Sequence, residues 1–223
     1  MKPNATNAKY AILFIWIVLA LDIVSFASSY MLYDSLKAAQ AGVPITVEAE
    51  EAQDIRESLI AILYLIAFIT SAVFFLRWFK TAYHNLGQKM DTRRTAGWAI
   101  GSWFIPIGNL FIPYQIMKEI YARTREFLIA RDCEIGRTLT SDYLGWWWAL
   151  LIFSGFVGQV ALRLSLKAKE LPELIMAARV DMADSIISIP LALITIKVIK
   201  DYDRIEPVLQ QIDNQPPSLP TPA

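Results

Sequence analysis

The stretch WFIPIGNLFIPYQI, from Trp103 to Ile116, decides how the rest of the chain can fold. It is apolar enough to sit in lipid, but it contains two prolines with the pair Gly108 and Asn109 between them. Each proline removes a helical hydrogen bond and crowds the carbonyl group four residues earlier, and a Gly–Asn pair is a turn signal. The stretch therefore predicts either a re-entrant hairpin that turns back within a membrane or a fifth span with proline kinks.

The composition indicates a membrane protein. The chain has 223 residues, of which 55% are hydrophobic, whereas soluble domains average about 45–50%. The excess is gathered in blocks of about 20 residues, the helical length that crosses a hydrocarbon core. We expect spans at about 10–33, 58–79, 143–163 and 176–199, with the broken block at 96–116. The first block also has features of a signal peptide, but its apolar run is longer than the usual hydrophobic region.

The predicted fold class is all-α: an integral membrane helical bundle with four spans, a proline-broken re-entrant hairpin (or fifth kinked span) and an interfacial amphipathic helix. Residues 1–206 form one transmembrane domain in this prediction. The tail at 207–223 is rich in proline, and it is predicted to be disordered.

The distribution of positive charge favours the hairpin over a fifth span. Lys and Arg are enriched in the cytoplasmic loops of membrane proteins. If the broken block crosses the membrane, the Lys and Arg residues that flank the spans divide equally between the two sides. If it returns to the side of entry, fifteen lie on the side of both termini and five on the other. We therefore expect both termini to be cytoplasmic.

The segment 113–132, which follows the hairpin, predicts an amphipathic helix. Ile116 and Ile120 fall on one face at helical spacing. Glu119 and Arg123 fall on the charged face, four residues apart, where they can form an ion pair. Such a helix lies in the membrane interface or docks on a helical bundle.

Charged residues inside spans are costly and mark candidate ligand or ion sites. Asp22 and Asp184 both fall in the half of the bilayer opposite the termini, and Arg179 lies near the same level. One interpretation is a polar vestibule that holds a cation or passes protons. The other, which we favour because buried charges are usually paired, is that Arg179 neutralises one carboxylate. Asn109 is a further candidate, because its amide can bind backbone groups that the prolines leave free.

A second candidate site consists of basic residues at the end of the second span. Arg77, Lys80 and His84 share one helical face there, and anionic lipid headgroups would suit them. The alternative is that they only mark the cytoplasmic boundary of the span.

The sequence contains no catalytic or nucleotide-binding motif. One histidine and one cysteine, His84 and Cys133, do not provide the usual ligands of a zinc site. We predict no catalytic residue, no metal and no cofactor, and the net charge of zero gives no reason to expect nucleic acid as a partner.

Two stretches resemble a known bacterial family: FLRWFKTAYHNL, residues 75–86, and GWAIGSWFIPIGNLFIPYQIMKEI, residues 97–120, followed by three consecutive tryptophans at 146–148. The family is domain of unknown function 4328, a group of multi-pass membrane proteins. The positions that carry the resemblance are Trp78, Asn85, Trp98, Trp103, Pro106, Asn109, Pro113, Tyr114 and Gln115. The resemblance implies a location in the bacterial cytoplasmic (inner) membrane. It implies no activity, ligand or catalytic residue.

The sequence thus favours a non-enzymatic membrane protein that acts as an assembly or regulatory component. Its expected partners are the lipid bilayer and a second copy of the chain or another membrane protein. One alternative is a small oligomeric transporter or channel built around the broken segment and the intramembrane carboxylates. A lipid-modifying enzyme is a weaker alternative, because the sequence shows no paired nucleophile and base.

Overall fold

A computed structural model of the protein describes residues 1–212. In this part of the chain all regular structure is helical. The α-helices are α1 (Ala5–Gln40), α2 (Val47–Gly87), α3 (Trp98–Gly101), α4 (Ile112–Ile129), α5 (Leu144–Lys167), α6 (Leu171–Asp203) and α7 (Glu206–Gln211). Short 3-10 helices occupy Ser102–Phe104, Ile107–Leu110 and Glu134–Thr138.

Four of the described helices are long and apolar enough to cross a membrane. They are α1, α2, α5 and α6, each of which contains one predicted span and extends beyond it. Within the structure only 6% of the most apolar part of α5 is buried, and 11% of that of α2. Helices that are apolar all round are typical of membrane spans, and the number of described helices long and apolar enough to span agrees with the four predicted spans.

The chain divides into two compact units. Unit 1 contains residues 1–9, 75–144 and the described residues from 197 onward, and unit 2 contains 10–74 and 145–196. Each of the four long helices has one end in unit 1 and its remainder in unit 2. The whole of the segment between α2 and α5, including the broken stretch, belongs to unit 1.

The broken stretch contains no helix of spanning length. α3 has four residues, a 3-10 turn follows, and the backbone becomes extended at Ile105 and bends at Pro106. A second 3-10 turn leads to Phe111, after which α4 begins with Pro113 in its first turn. Proline is tolerated in that position because its missing N–H group would have no helical partner there. The two prolines therefore break the chain where the sequence predicts.

The start of the broken stretch is buried, whereas its bend is exposed. On the α3 side, Ala99 and Ser102 are fully buried. At the bend, the side chains of Phe104 and Ile107 are 74% and 77% exposed, and Phe111 is exposed as well. The tip of the broken stretch therefore presents apolar side chains to the surroundings.

The core of unit 1 is built around α4. This helix buries the face that its spacing predicts, including Ile116, Ile120 and Tyr121. From α2 the core receives Trp78 and Tyr83, both fully buried. The chain after α6 forms the six-residue helix α7, so the predicted disorder is wrong for residues 207–211. The remainder of the predicted tail lies outside the described residues.

Unit 2 consists of the remaining parts of the four long helices and the loops that join α1 to α2 and α5 to α6. In α1 the residues Ala11, Ile15, Leu19 and Asp22 are buried at helical spacing, so Asp22 lies on the inward face of that helix. The indole N–H of Trp147 in α5 donates to Thr195 Oγ1 in α6 over 3.1 Å. Of the two predicted intramembrane carboxylates, Asp22 is therefore buried within the unit, whereas Asp184 is half-buried.

Candidate functional site

Asp22 is the most deeply buried carboxylate of unit 2. Only 4% of it is exposed, and its Oδ2 atom has no hydrogen-bond partner. The hydroxyl groups of Tyr64 and Ser188 lie beside its carboxylate, and Asp184 is close enough for charge repulsion. A buried charge is normally paired with an opposite charge, and none of these neighbours is a cation.

Asp184 lies against a glycine of the neighbouring helix. A Cβ atom added at Gly158 would be 3.6 Å from Asp184 Oδ2 and 3.7 Å from Oδ1. The absence of a side chain at Gly158 therefore leaves the Asp184 carboxylate room beside α5. One turn earlier in α6, Asp181 accepts a hydrogen bond of 3.2 Å from Ser165 Oγ. The structure thus brings Asp22 and Asp184 together, as the sequence suggested.

Arg179 does not join these carboxylates. Its Nη2 atom donates to Tyr33 Oη over 3.1 Å, and its guanidinium lies 5.3 Å from the centre of the Tyr33 ring. It forms no ion pair with Asp22 or Asp184. The interpretation in which Arg179 neutralises an intramembrane carboxylate is therefore wrong, because a tyrosine of α1 engages the guanidinium instead.

Asn109 belongs to unit 1. It lies in the second 3-10 turn, where its backbone N–H donates to the Ile105 carbonyl over 2.8 Å. This bond closes the tight turn after Pro106. Its role in the described structure is thus in the geometry of the bend.

Unit 1 contains a buried polar network that sequence reasoning missed. The carboxylate of Glu206 accepts hydrogen bonds from Asn4 Nδ2 at 3.0 Å and from Asn85 Nδ2 at 2.6 Å. Asn4 also donates to the Trp78 carbonyl, and the Asn85 amide bonds both the N–H and the carbonyl of Lys2. All three side chains of the network are at most 2% exposed. The N-terminus, the last turns of α2 and the start of α7 are thereby joined, although their residues are far apart in sequence.

A second polar chain in unit 1 passes through two tyrosines. Tyr121 Oη donates to the Val198 carbonyl over 2.7 Å, and Tyr143 Oη donates to Asp201 Oδ2 over 2.7 Å. Lys197 Nζ binds the same Asp201 oxygen at 2.7 Å. Burial raises the pKa of both tyrosine hydroxyl groups above the usual range. Both therefore stay protonated and act as hydrogen-bond donors at physiological pH.

The basic residues at the end of α2 form a ridge in unit 1. Arg77 and Lys80 are exposed and His84 is half-buried. The opposite side of this helix carries the buried residues Trp78 and Asn85. The structure leaves the ridge accessible, and it assigns no ligand to it.

A scan against family models matches residues 41–204 to Domain of unknown function (DUF4328). The chain belongs to the DUF4328 family. This confirms the resemblance found in the two motif stretches. No curated protein and no solved structure matches the chain. The match begins after Asp22 and ends before Glu206, so these two buried acids lie outside the region that the DUF4328 model covers.

The residues that carry the DUF4328 resemblance all lie in unit 1. The Trp103 ring packs edge-on against Phe75, with ring centres 5.9 Å apart, and against Phe79. The other members are divided between core, network, bend and surface. They are Trp78 and Pro113 in the core, Asn85 in the network, Pro106 and Asn109 at the bend, and Trp98, Tyr114 and Gln115 nearer the surface. The family motif therefore describes how unit 1 is built.

Proposed function

We propose that this protein is a multi-pass protein of the bacterial cytoplasmic membrane with both termini in the cytosol. The support is the distribution of basic residues between the units. All fifteen Lys and Arg residues that the hairpin arrangement assigns to one side belong to unit 1, and the remaining six belong to unit 2. This is the asymmetry that the positive-inside rule requires of a cytosolic region.

The only cysteine of the chain provides the test of this orientation. Cys133 lies in unit 1 and is partly exposed. A membrane-impermeant maleimide added to intact cells should leave Cys133 unlabelled, and it should label this residue after the membrane is permeabilised. A matched variant, Cys133→Ser with Glu48→Cys, moves the thiol to the exposed start of α2 in unit 2, and it should react in intact cells. Labelling of Cys133 in intact cells would overturn the orientation.

We further propose that the broken stretch is a shallow re-entrant segment. Its two flanks both belong to unit 1, and its exposed tip is apolar. Irregular backbone is not stable in the hydrocarbon core when protein does not cover it, so the tip inserts at the level of the headgroups. Spin labels at Ile107→Cys and Phe111→Cys, in a Cys133→Ser background, should report shallow lipid contact. Reporter depths on the far side of the bilayer centre would favour a fifth span.

The activity that the geometry supports best is binding of a proton or a small monovalent cation at Asp22. The observation that carries this proposal is a buried carboxylate with one oxygen unpaired, next to a second carboxylate and without a cationic side chain. Residues 1–212 contain no group of three or more His, Cys, Asp or Glu side chains suited to a metal ion. A proton or a monovalent cation needs fewer protein charges than a divalent metal. The protein would then act as a small oligomeric transporter or channel.

Reconstitution in liposomes tests this activity. We expect purified protein to carry a voltage-driven flux of protons, sodium or potassium that Asp22→Asn reduces at least tenfold. Asp34→Asn is the matched control, because Asp34 is an exposed carboxylate on the same helix, and this variant should retain the flux. Equal flux with Asp22→Asn, or no flux of any of the three ions with the unmodified protein, would refute the proposal.

The assembly or regulatory role that the sequence favours stays a prediction. Crosslinking in native membranes through Cys133, which lies just after the amphipathic helix, would test it. One reproducible protein partner would support this role, and it would be compatible with an ion site in unit 2.

A further inference from the structure

An open groove runs along the charged side of α4 in unit 1. Its volume is about 480 Å³. Three basic side chains line it, Arg93, Lys118 and Arg123, together with the acidic side chains of Glu119 and Glu126. Its remaining polar lining comes from the side chains of two family-motif residues. They are Tyr114 and Gln115.

The loop that precedes α3 is held against α4 by specific hydrogen bonds. Glu119 Oε1 accepts from the backbone N–H of Arg93 at 2.8 Å, and Glu119 Oε2 accepts from Tyr83 Oη at 2.9 Å. Arg94 Nη2 donates to Gln115 Oε1 over 2.9 Å. These bonds fix the backbone of the loop, and Arg93 lines the same groove as the basic residues of α4.

The basic side chains of the groove are available for a ligand. The predicted ion pair between Glu119 and Arg123 is absent, because the Glu119 carboxylate is engaged by Tyr83 and the loop backbone. Within residues 1–212 the cationic groups of Arg93, Lys118 and Arg123 form no ion pair or hydrogen bond. Glu119 is 8% exposed, so its charge is partly compensated by its two donors while the three cations face the open space.

The groove begins next to the apolar tip of the broken stretch. Tyr114 and Gln115 follow Phe111 by one helical turn or less, and Phe111 is 58% exposed. A segment that inserts apolar side chains into the membrane interface places the adjacent basic groove at the level of the phosphates. Amphipathic helices with basic polar faces bind anionic lipids in this way.

We propose that the groove formed by Arg93, Lys118 and Arg123 binds a phosphate group, that of an anionic lipid headgroup or a free phosphate. Arg suits this chemistry because its planar fork donates two hydrogen bonds to phosphate oxygens, and Lys118 adds a third donor. The lipid is the ligand favoured by the adjacent apolar tip. The choice of a lipid rests on the proposed shallow insertion of the broken stretch, and the inference is independent of the ion site proposed at Asp22.

The test compares two double variants with equal loss of charge. Native mass spectrometry of the full chain in non-ionic detergent, titrated with phosphatidylglycerol, should show one preferred bound lipid. Arg93→Gln/Arg123→Gln should weaken this binding about 25-fold, at roughly fivefold for each basic residue removed. Arg163→Gln/Lys167→Gln removes the same charge from exposed positions of α5 in unit 2, and it should change the affinity less than twofold.

Two further arms separate the sources of the phosphate and the effects of misfolding. Titration of the phosphatidylglycerol complex with inorganic phosphate should give no competition at millimolar concentration if the site requires a lipid, and full competition if it accepts free phosphate. Arg93→Lys/Arg123→Lys keeps the charge but loses the planar fork of arginine, so it should bind more tightly than the Gln variant and less tightly than the unmodified protein. A Gln variant whose melting temperature equals that of the unmodified protein would show that its loss of binding is not caused by misfolding. Equal loss in the two charge-matched Gln variants, or no preferred binding of either ligand, would overturn the proposal.

Discussion

Unit 1 and unit 2 are folded from the same four long helices, but they are packed differently. The twelve largest fully buried side chains of the described structure all belong to unit 1, with the single exception of Trp147. Unit 2 instead exposes large apolar side chains on all four helices. Unit 1 therefore has the aromatic core of a soluble domain, whereas unit 2 depends on lipid for much of its apolar contact.

The two units also differ in the hydrogen bonding of their most deeply buried acids. In unit 1 Glu206 accepts hydrogen bonds from two asparagine amides. In unit 2 Asp22 keeps one oxygen without a partner. A satisfied buried polar group contributes to a unique packing, and an unsatisfied one costs stability. The difference indicates a structural role for Glu206, and it supports the proposal that Asp22 binds an ion.

The largest effect on stability should come from Trp147, the largest fully buried side chain of unit 2. Trp147→Ala removes a fully buried indole and its bond to Thr195, and it should lower the free energy of unfolding by about 3–5 kcal/mol. Trp146→Ala, at the adjacent residue that is 73% exposed, should change it by less than about 0.5 kcal/mol. Thermal unfolding in detergent measures both variants. Equal effects of the two variants would show that unit 2 has no packed core around Trp147.

Neutralising the two buried acids should have opposite effects. Glu206→Gln places an amide N–H₂ against one of the two asparagine donors, so it should destabilise the protein by about 2 kcal/mol. Asp22→Asn removes an unpaired buried charge, and it should be neutral or stabilising. The two melting temperatures, measured at the same pH, test the contrast. A destabilising Asp22→Asn would mean that the carboxylate has a structural partner, and it would weaken the ion-site proposal.

Two glycines probe the packing of the units on a smaller scale. A Cβ atom at Gly136 in unit 1 would lie 2.7 Å from Leu128 Cβ, so Gly136→Ala should cost about 1–3 kcal/mol through overpacking. A Cβ atom at Gly158 in unit 2 makes only ordinary contacts, and Gly158→Ala should stabilise α5 by up to about 1 kcal/mol. Unfolding curves that rank these variants in the reverse order would contradict the difference in packing.

Local patterns in the sequence were sufficient for the helices and for the break. The four spans follow from length and composition, and the inward face of α4 follows from helical spacing. Pro106 and Pro113 interrupt the helix through their own covalent geometry. Each of these features depends on residues within one or two turns of each other, so one sequence is enough to predict them.

The side-chain partners that the sequence did not predict are distant in sequence. Arg179 binds Tyr33, and Glu119 binds Tyr83 and a loop N–H instead of the arginine four residues away. The network around Glu206 joins side chains that are between 81 and 202 residues apart. Which of several available donors reaches a carboxylate depends on the relative positions of packed helices, and no spacing rule contains that information.

The smallest expected effect concerns the tyrosine chain of unit 1 at high pH. The raised pKa of Tyr143 means that the folded protein retains this proton at a pH where the unfolded chain releases it. The resulting stabilisation is present below about pH 10, the ordinary pKa of tyrosine, and it is lost as the pH rises towards the folded-state pKa.

The variant Tyr143→Phe tests this pH dependence. It should cost about 1 kcal/mol at pH 8 through the lost hydrogen bond to Asp201, and the stability of the variant should fall less steeply above pH 10. Melting temperatures of the two proteins between pH 8 and pH 11 should therefore converge. Parallel curves would mean that the folded structure does not raise the pKa of Tyr143. The polar groups of unit 1 would then be more accessible to water than its buried aromatic core implies.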